Sequence, residues 1–203
     1  MLTPGTGTPV SLVIAFIGTQ GAIMGADTRE IITSGDKLPT ETLEQELYTG
    51  QIVTDEALVR RAGELGISLT IRDDKRKITQ RDGALVAEVC ETEGGVCRKR
   101  RLYATAGEYA LAGITDGGIR LTGKGTASNF VVLGNQVTQR IAHACIQEHW
   151  KNGTMHDAIK IIMLSMQRAS DASASVSRSF DLIQTTGKVS LSELIEQDIK
   201  DKK

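Results

Sequence analysis

The sequence is short of aromatic residues, with three Phe, three Tyr and one Trp among 203 residues. Base stacking on nucleic acid is therefore poorly supported. An excess of charge of one sign is also lacking. The net charge is −1, so no global field would recruit nucleic acid or an anionic membrane. No apolar run reaches the length that spans a bilayer. The start of the chain has no basic segment followed by an apolar one, the mark of a secretory signal. These absences point to a cytoplasmic chain with no membrane insertion and no nucleic-acid partner. Cysteine is scarce too: Cys90, Cys97 and Cys145 make no disulfide framework. Cys90 and Cys97 flank ETEGGV and could face each other across a hairpin, but in a reducing compartment two free thiols are expected. His143 and His149 stand six apart on an expected helix, on nearly opposite faces, so no metal pair is expected.

What is present is enough for one domain with a small insertion. Residues 1–10, MLTPGTGTPV, have no periodicity and are read as a leader outside the mature protein. Two apolar runs, 12–17 and 22–26, flank GTQG at 18–21, a turn composition, and predict a hairpin over 11–28. An insertion is expected at about 40–80. It opens with the short amphipathic TETLEQELYTG, and a helix capped by Thr54 follows, with Leu58, Ala62 and Leu65 on one face, ending at Gly66. Alternation over 67–72 predicts a half-buried strand, and further strands are expected at 84–90, 97–105, 108–114, 118–122 and 129–133.

The pattern then turns helical. Asn135 caps a helix to Lys151 with Val137, Ile141, Ala144 and Cys145 inward. Thr154 and Asp157 open a second helix, which places Met155, Ile159, Ile162, Met163 and Met166 on one stripe. A strand at 180–185 and a helix behind the capping box at 190–193 complete the chain. Blocks of strands and of helices predict an α+β fold with helices layered on antiparallel sheets.

Chemistry enters through the first hairpin. If it turns at 18–21, Ile17 faces Ala22, Leu12 faces Asp27 and Ser11 faces Thr28. Asp27 then returns to the start of the first strand. Were Ser11 the first residue of the mature chain, its α-amine would suit a general base near neutrality, since a terminal amine ordinarily titrates at about 7.7–8.0. A nucleophile whose own amine is its base is one recurring activation scheme. On spacing alone the simpler reading is that Ser11 begins a strand and Asp27 ends one in a turn. Two other motifs are set aside. Residues 123–129 lack the lysine-hydroxyl ending of a phosphate loop and are read as a loop between strands. The basic run at 98–101 lies in an expected strand and is read as a solvated edge.

The stretch SLVIAFIG…GADTR resembles the opening of proteasome β-type subunits, which start with Thr and carry an Ala-Asp-x-Arg element at this distance. More closely, the chain resembles the connectase family, proteasome-like transpeptidases of methanogenic archaea. The resemblance rests on LVIAFIG (12–18), ELYTGQIVTDE (46–56), EGGV (93–96), RRLYA (100–104), SNFVVLGN (128–135) and ASVS (174–177). It implies the αββα four-layer sandwich of N-terminal nucleophile hydrolases, as a single domain over 11–203. It implies that Ser11, where the family has Thr, attacks the Asp–Pro bond of a Lys-Asp-Pro-Gly-Ala-like motif. The ester can shift to the amine, and a fragment that starts with Pro-Gly can attack and re-form a peptide bond. Asp27 would orient the amine or a lysine. Lys37 is the candidate for that lysine, as the only one between residues 1 and 74. Arg29 would buttress Asp27, and Ser175 and Ser177 would support the amine. No cofactor, no metal and a monomer are expected, and the resemblance implies a peptide or protein substrate, with a subunit of the methanogen membrane methyltransferase as a candidate. The leader is then a self-cleaved propeptide, a true extension that keeps the chain inactive, or no part of the native protein. Val10 favours the last, since a valine codon can serve as an initiator.

Overall fold

A computed structural model describes residues 12–93, 96–115 and 117–201. The chain opens with β1 (Val13–Ile17) and β2 (Ala22–Asp27), paired from Ile17 with Ala22 to Val13 with Ala26. The Gly18 N–H donates to the Gly21 carbonyl at 2.8 Å, closing the turn, and the Asp27 N–H donates to the Leu12 carbonyl at 3.1 Å. The predicted register holds as far as Leu12. Ser11 lies outside the described residues.

The chain continues through β3 (Glu30–Ser34), α1 (Lys37–Tyr48), α2 (Asp55–Glu64) and β4 (Ser68–Arg72). Next come β5 (Ile78–Arg81), β6 (Ala84–Glu93), β7 (Val96–Thr105), β8 (Glu108–Thr115), β9 (Gly118–Thr126) and β10 (Asn129–Leu133). It ends with α3 (Gln136–His149), α4 (Met155–Ala172), β11 (Phe180–Thr185) and α5 (Leu191–Asp201). The strands form one sheet in the order β10-β1-β2-β11, a second in the order β5-β6-β7-β8-β9, and a separate pair, β3-β4.

Both faces of the first sheet are covered, which is why β1 and β2 read as unbroken apolar runs instead of alternating. Ile14, Phe16 and Ile23 face Ala158, Ile162 and Met166 of α4 and Ala142 of α3. Val13, Ala15, Met24 and Ala26 face Leu85, Ala87, Leu102 and Ala104 of the second sheet. The far side of that second sheet carries α5, whose Leu191, Leu194 and Ile195 pack on Val86, Tyr103, Ala110 and Ala112. Asp198 of α5 accepts hydrogen bonds from Tyr103 Oη at 2.7 Å and from Arg81 and Arg101 at 2.6 Å each.

β3, α1, α2 and β4 form a small lobe over 30–72, which begins earlier and ends sooner than the segment expected at about 40–80. Its core joins Ile31, Leu43, Leu47, Leu58, Ala62 and Ile67, with Ala174 contributed by the connection between α4 and β11. Thr54 caps α2, accepting from the Ala57 N–H at 3.2 Å. Some expectations fail locally. Ala144 is exposed on α3 and Met163 is 46% exposed on α4, because each lies on the rim of its apolar stripe. The stretch at 123–126 is strand, paired with β8, and not a loop. Cys90 is disulfide-bonded, not a free thiol. The β6–β7 register pairs Cys90 with Lys99 and Thr92 with Cys97, so the backbone positions 90 and 97 are diagonal neighbours. Cys145 is free and buried.

Candidate active site

Asp27 ends β2 with no solvent exposure, and its carboxylate is fully engaged. Oδ1 accepts from the Leu12 N–H at 2.7 Å, and Oδ2 from the Arg29 N–H at 3.0 Å. Lys77 Nζ donates to both oxygens at 2.8 Å. Leu12 follows Ser11 in the chain, so this buried ion pair touches the peptide group that joins residues 11 and 12. Burial pushes the Lys77 ammonium below the ordinary lysine range, and the contact with Asp27 opposes that shift.

Lys77 is therefore the lysine at Asp27, and Lys37 is not. Lys37 opens α1 with its side chain 85% exposed, 3.7 Å from Glu41 one turn on. Elimination by position along the chain fails because the lobe separates Asp27 from its lysine by 50 residues. The signal for Lys77 lies in DDKRK at 73–77. Lys75 turns outward to Glu30 at 3.0 Å, while Lys77, next to the fully buried Ile78, turns inward. The Lys75 N–H donates to the Thr28 carbonyl at 2.9 Å, which lays this segment beside the end of β2.

The Arg29 side chain does not reach Asp27; only its main-chain N–H does. The guanidinium, 5% exposed as a residue, donates to Asp73 at 2.8 and 2.9 Å, to Asp55 at 2.5 and 3.0 Å, and to the Ala174 carbonyl at 2.8 Å. Burial opposes its charge, but the hydrogen bonds to Asp73 and Asp55 outweigh that and hold it more firmly protonated than a free arginine. The same contact holds the Asp73 carboxyl below its usual range.

The two serines separate. Ser177 Oγ accepts from the Thr28 N–H at 2.8 Å and donates to the Ser179 carbonyl at 2.6 Å, so it sits against the residue after Asp27. Ser175 Oγ pairs with Ser173 Oγ at 2.7 Å and accepts from Asn135 Nδ2 at 3.0 Å, which links it to the N-cap of α3. Both are buried. Ser11 lies outside the described residues, and so do its contacts. Among the described residues no group of three His, Cys, Asp or Glu side chains could hold a metal ion. No helix among them is long and apolar enough to cross a membrane.

A family model described as Connectase MJ0548-like, N-terminal domain, matches residues 10–200. The chain belongs to the connectase family. A search of curated protein sequences gave no match. Among solved structures, this connectase-family chain is similar to an Anbu (Gly-1) mutant from Hyphomicrobium sp. strain MC1, at 13% identity and a TM-score of 0.39. That match covers 89% of this chain and 84% of the other. It is also similar to HslV from Trypanosoma brucei, at 14% identity and a TM-score of 0.36, covering 85% and 98%. Anbu from Yersinia bercovieri matches at 12% identity and a TM-score of 0.39, covering 86% and 80%. The family assignment rests on the family model.

Proposed function

We propose that this connectase-family chain is a peptide transferase of the N-terminal nucleophile class, built on an αββα sandwich, with Ser11 as nucleophile once its α-amine is free. The observation that carries this reading is the Lys77–Asp27 pair, held at 2.8 Å and hydrogen-bonded at 2.7 Å to the N–H of the residue after Ser11. The family match, which includes position 11, supports it. So does the layering of helices, first sheet, second sheet and α5.

In this scheme the Ser11 amine takes the hydroxyl proton as Oγ attacks the substrate carbonyl. A cation beside the amine favours its neutral, basic form, which is the part we assign to Lys77. Asp27 keeps that cation in place and orients the peptide group at residue 12. Ser177, hydrogen-bonded to Thr28, is the serine we assign to the support of the amine; Ser175 acts through the α3 cap. The Asp–Pro bond breaks as the ammonium gives its proton to the departing proline nitrogen. The acyl group then passes from Oγ to the freed amine, leaving an amide-linked conjugate, and an acceptor amine reverses the sequence. No nucleotide is needed, because one peptide bond replaces another. The substrate we propose is a Lys-Asp-Pro-Gly-Ala-like segment cut at Asp–Pro.

The test uses the chain beginning at Ser11, a peptide with that motif, and a second peptide that starts with Pro-Gly. Intact mass should show a conjugate absent in Ser11→Ala, and the acceptor should appear in exchanged product. Hydrolysis without exchange would make it a plain peptidase. No conjugate at all would make it a non-catalytic binding protein.

A further inference from the structure

Apolar packing alone would make the lobe an appendage. One buried guanidinium instead joins it to the segments that carry Asp27, Lys77 and the serines. Arg29 lies two residues after Asp27 and gives that carboxylate its main-chain N–H. Its side chain grips Asp55 in the first turn of α2, which belongs to the lobe. It grips Asp73, just beyond β4, where the chain leaves the lobe for Lys77. It also holds the carbonyl of Ala174, one residue before Ser175. Ala174 is itself tied to the lobe twice, by its side chain in the lobe core and by its N–H, which donates to the Ile52 carbonyl at 3.2 Å.

We propose that Arg29 is a positioning residue that makes docking of the lobe a condition for the site's geometry: through Asp55, Asp73 and Ala174 it sets the Asp27–Lys77 pair and the serine segment in register. The physical case is rigidity. A planar guanidinium that pairs with two carboxylates and a carbonyl fixes direction as well as distance. Asp55 and Asp73 are half-exposed, with side chains 50% and 40% accessible, so the lobe side of this latch meets solvent while its Arg29 side is 6% accessible. Undocking the lobe would release Asp73 and slacken the segment that delivers Lys77. The role of this geometry in catalysis rests on the function proposed above; the geometric coupling does not.

Among the described residues, the charged groups that act on Lys77 include Asp27 from β2, Glu30 from β3 and Asp73 from the connection after β4. Asp55 touches Arg29 and none of these. Loss of the Asp55 charge would by its field alone lower the Lys77 titration, so an upward move in Asp55→Asn reports a displacement, which makes it the diagnostic variant. Arg29→Lys is the second, since an ammonium keeps the charge but cannot hold both carboxylates in one plane. Arg29→Ala is avoided because it leaves two carboxylates unpaired and endangers folding.

The readout is the titration of the Lys77 side chain by nuclear magnetic resonance in the full chain with labelled lysine, assigned with Lys77→Arg. In Asp55→Asn and Arg29→Lys, water should reach the pair and the Lys77 titration should move up toward the ordinary lysine range. Glu64→Gln, at the other end of α2, should leave it where it is. If both latch variants superimpose on the wild type, the lobe is an appendage and the inference is overturned. On the form starting at Ser11, kcat for conjugate formation should fall by about ten- to a hundred-fold in Asp55→Asn, with KM changing less, as expected when a reacting group is misplaced. A shifted Lys77 in a chain that forms no conjugate would keep the coupling and overturn the catalytic reading alone.

Discussion

Asp27 accepts at both oxygens from three directions: the start of the chain's first strand, its own turn, and a lysine from 50 residues on. A buried carboxylate with no solvent exposure needs all of them, because an uncompensated charge in the interior is costly. Lys77→Met should therefore destabilise the protein by roughly 3–5 kcal/mol in chemical denaturation, the usual cost of breaking one side of a buried pair. Combining it with Asp27→Asn should restore part of that, and the double-mutant cycle measures how much. Lys37→Met should change neither stability nor activity, as expected of a side chain 85% exposed. At this scale, the hairpin register is legible because turn composition and two apolar runs leave little choice. The partner of Asp27 is not. DDKRK reads as a solvated run, and only the packing of Ile78 separates the inward lysine from the outward one. Arg29 is hard to read for a related reason. Its partners, Asp55 and Asp73, stand on either side of lobe elements whose return to residue 29 no local pattern announces.

The elements themselves are mostly visible. Both long helices begin at the predicted caps, and Thr154 with Asp157 forms a complete capping box on α4. Thr154→Ala should lower the thermal midpoint by an amount equivalent to about 1 kcal/mol. The contact between β2 and α4 has no signal in the local pattern. A Cβ on Gly25 would come within 2.5 Å of Ile162 Cγ2, so the helix sits on the strand only because that position has no side chain. Gly25→Ala should cost about 1–3 kcal/mol by overpacking, and Ile162→Ala, which removes that Cγ2, should cost less in the Gly25→Ala chain than in the wild type. If Gly25→Ala melts like the wild type, α4 is not seated as described. The strands β3 and β5 are hidden in the sequence because each is short and lies beside a charged stretch that masks its alternation.

Across the whole molecule, α5 is bound to the second sheet by a polar anchor as well as by its apolar face. Asp198, 5% exposed, sits in burial that would raise its carboxyl pKa. The hydrogen bonds from Tyr103, Arg81 and Arg101 outweigh that and lower it. Burial and the Asp198 bond push the Tyr103 hydroxyl up to about 12. A carboxyl depressed in the fold stabilises fully above its unfolded pKa of about 3.9 and loses that contribution as pH falls through the folded value. Asp198→Asn should thus cost roughly 1–3 kcal/mol at pH 7, where a buried hydroxyl and two guanidinium groups lose their charged acceptor. The gap to the wild type should narrow below about pH 4. An equal gap at pH 7 and pH 3 would count against the anchor. The anchor's existence is not legible in the sequence, since Asp198 and its partners lie about a hundred positions apart and alternate with ordinary surface charges.

Trp150 is the chain's one tryptophan. Its ring centroid lies 4.9 Å from that of Phe16 and 5.1 Å from that of Phe130, at the junction of α3, β1 and β10. Its emission therefore tracks the seam between the helices and the first sheet and is blind to the lobe, whose aromatic residue is Tyr48. Native fluorescence would not report a lobe that had swung away. Limited proteolysis within 30–72 would see such an opening where the Trp150 emission would not.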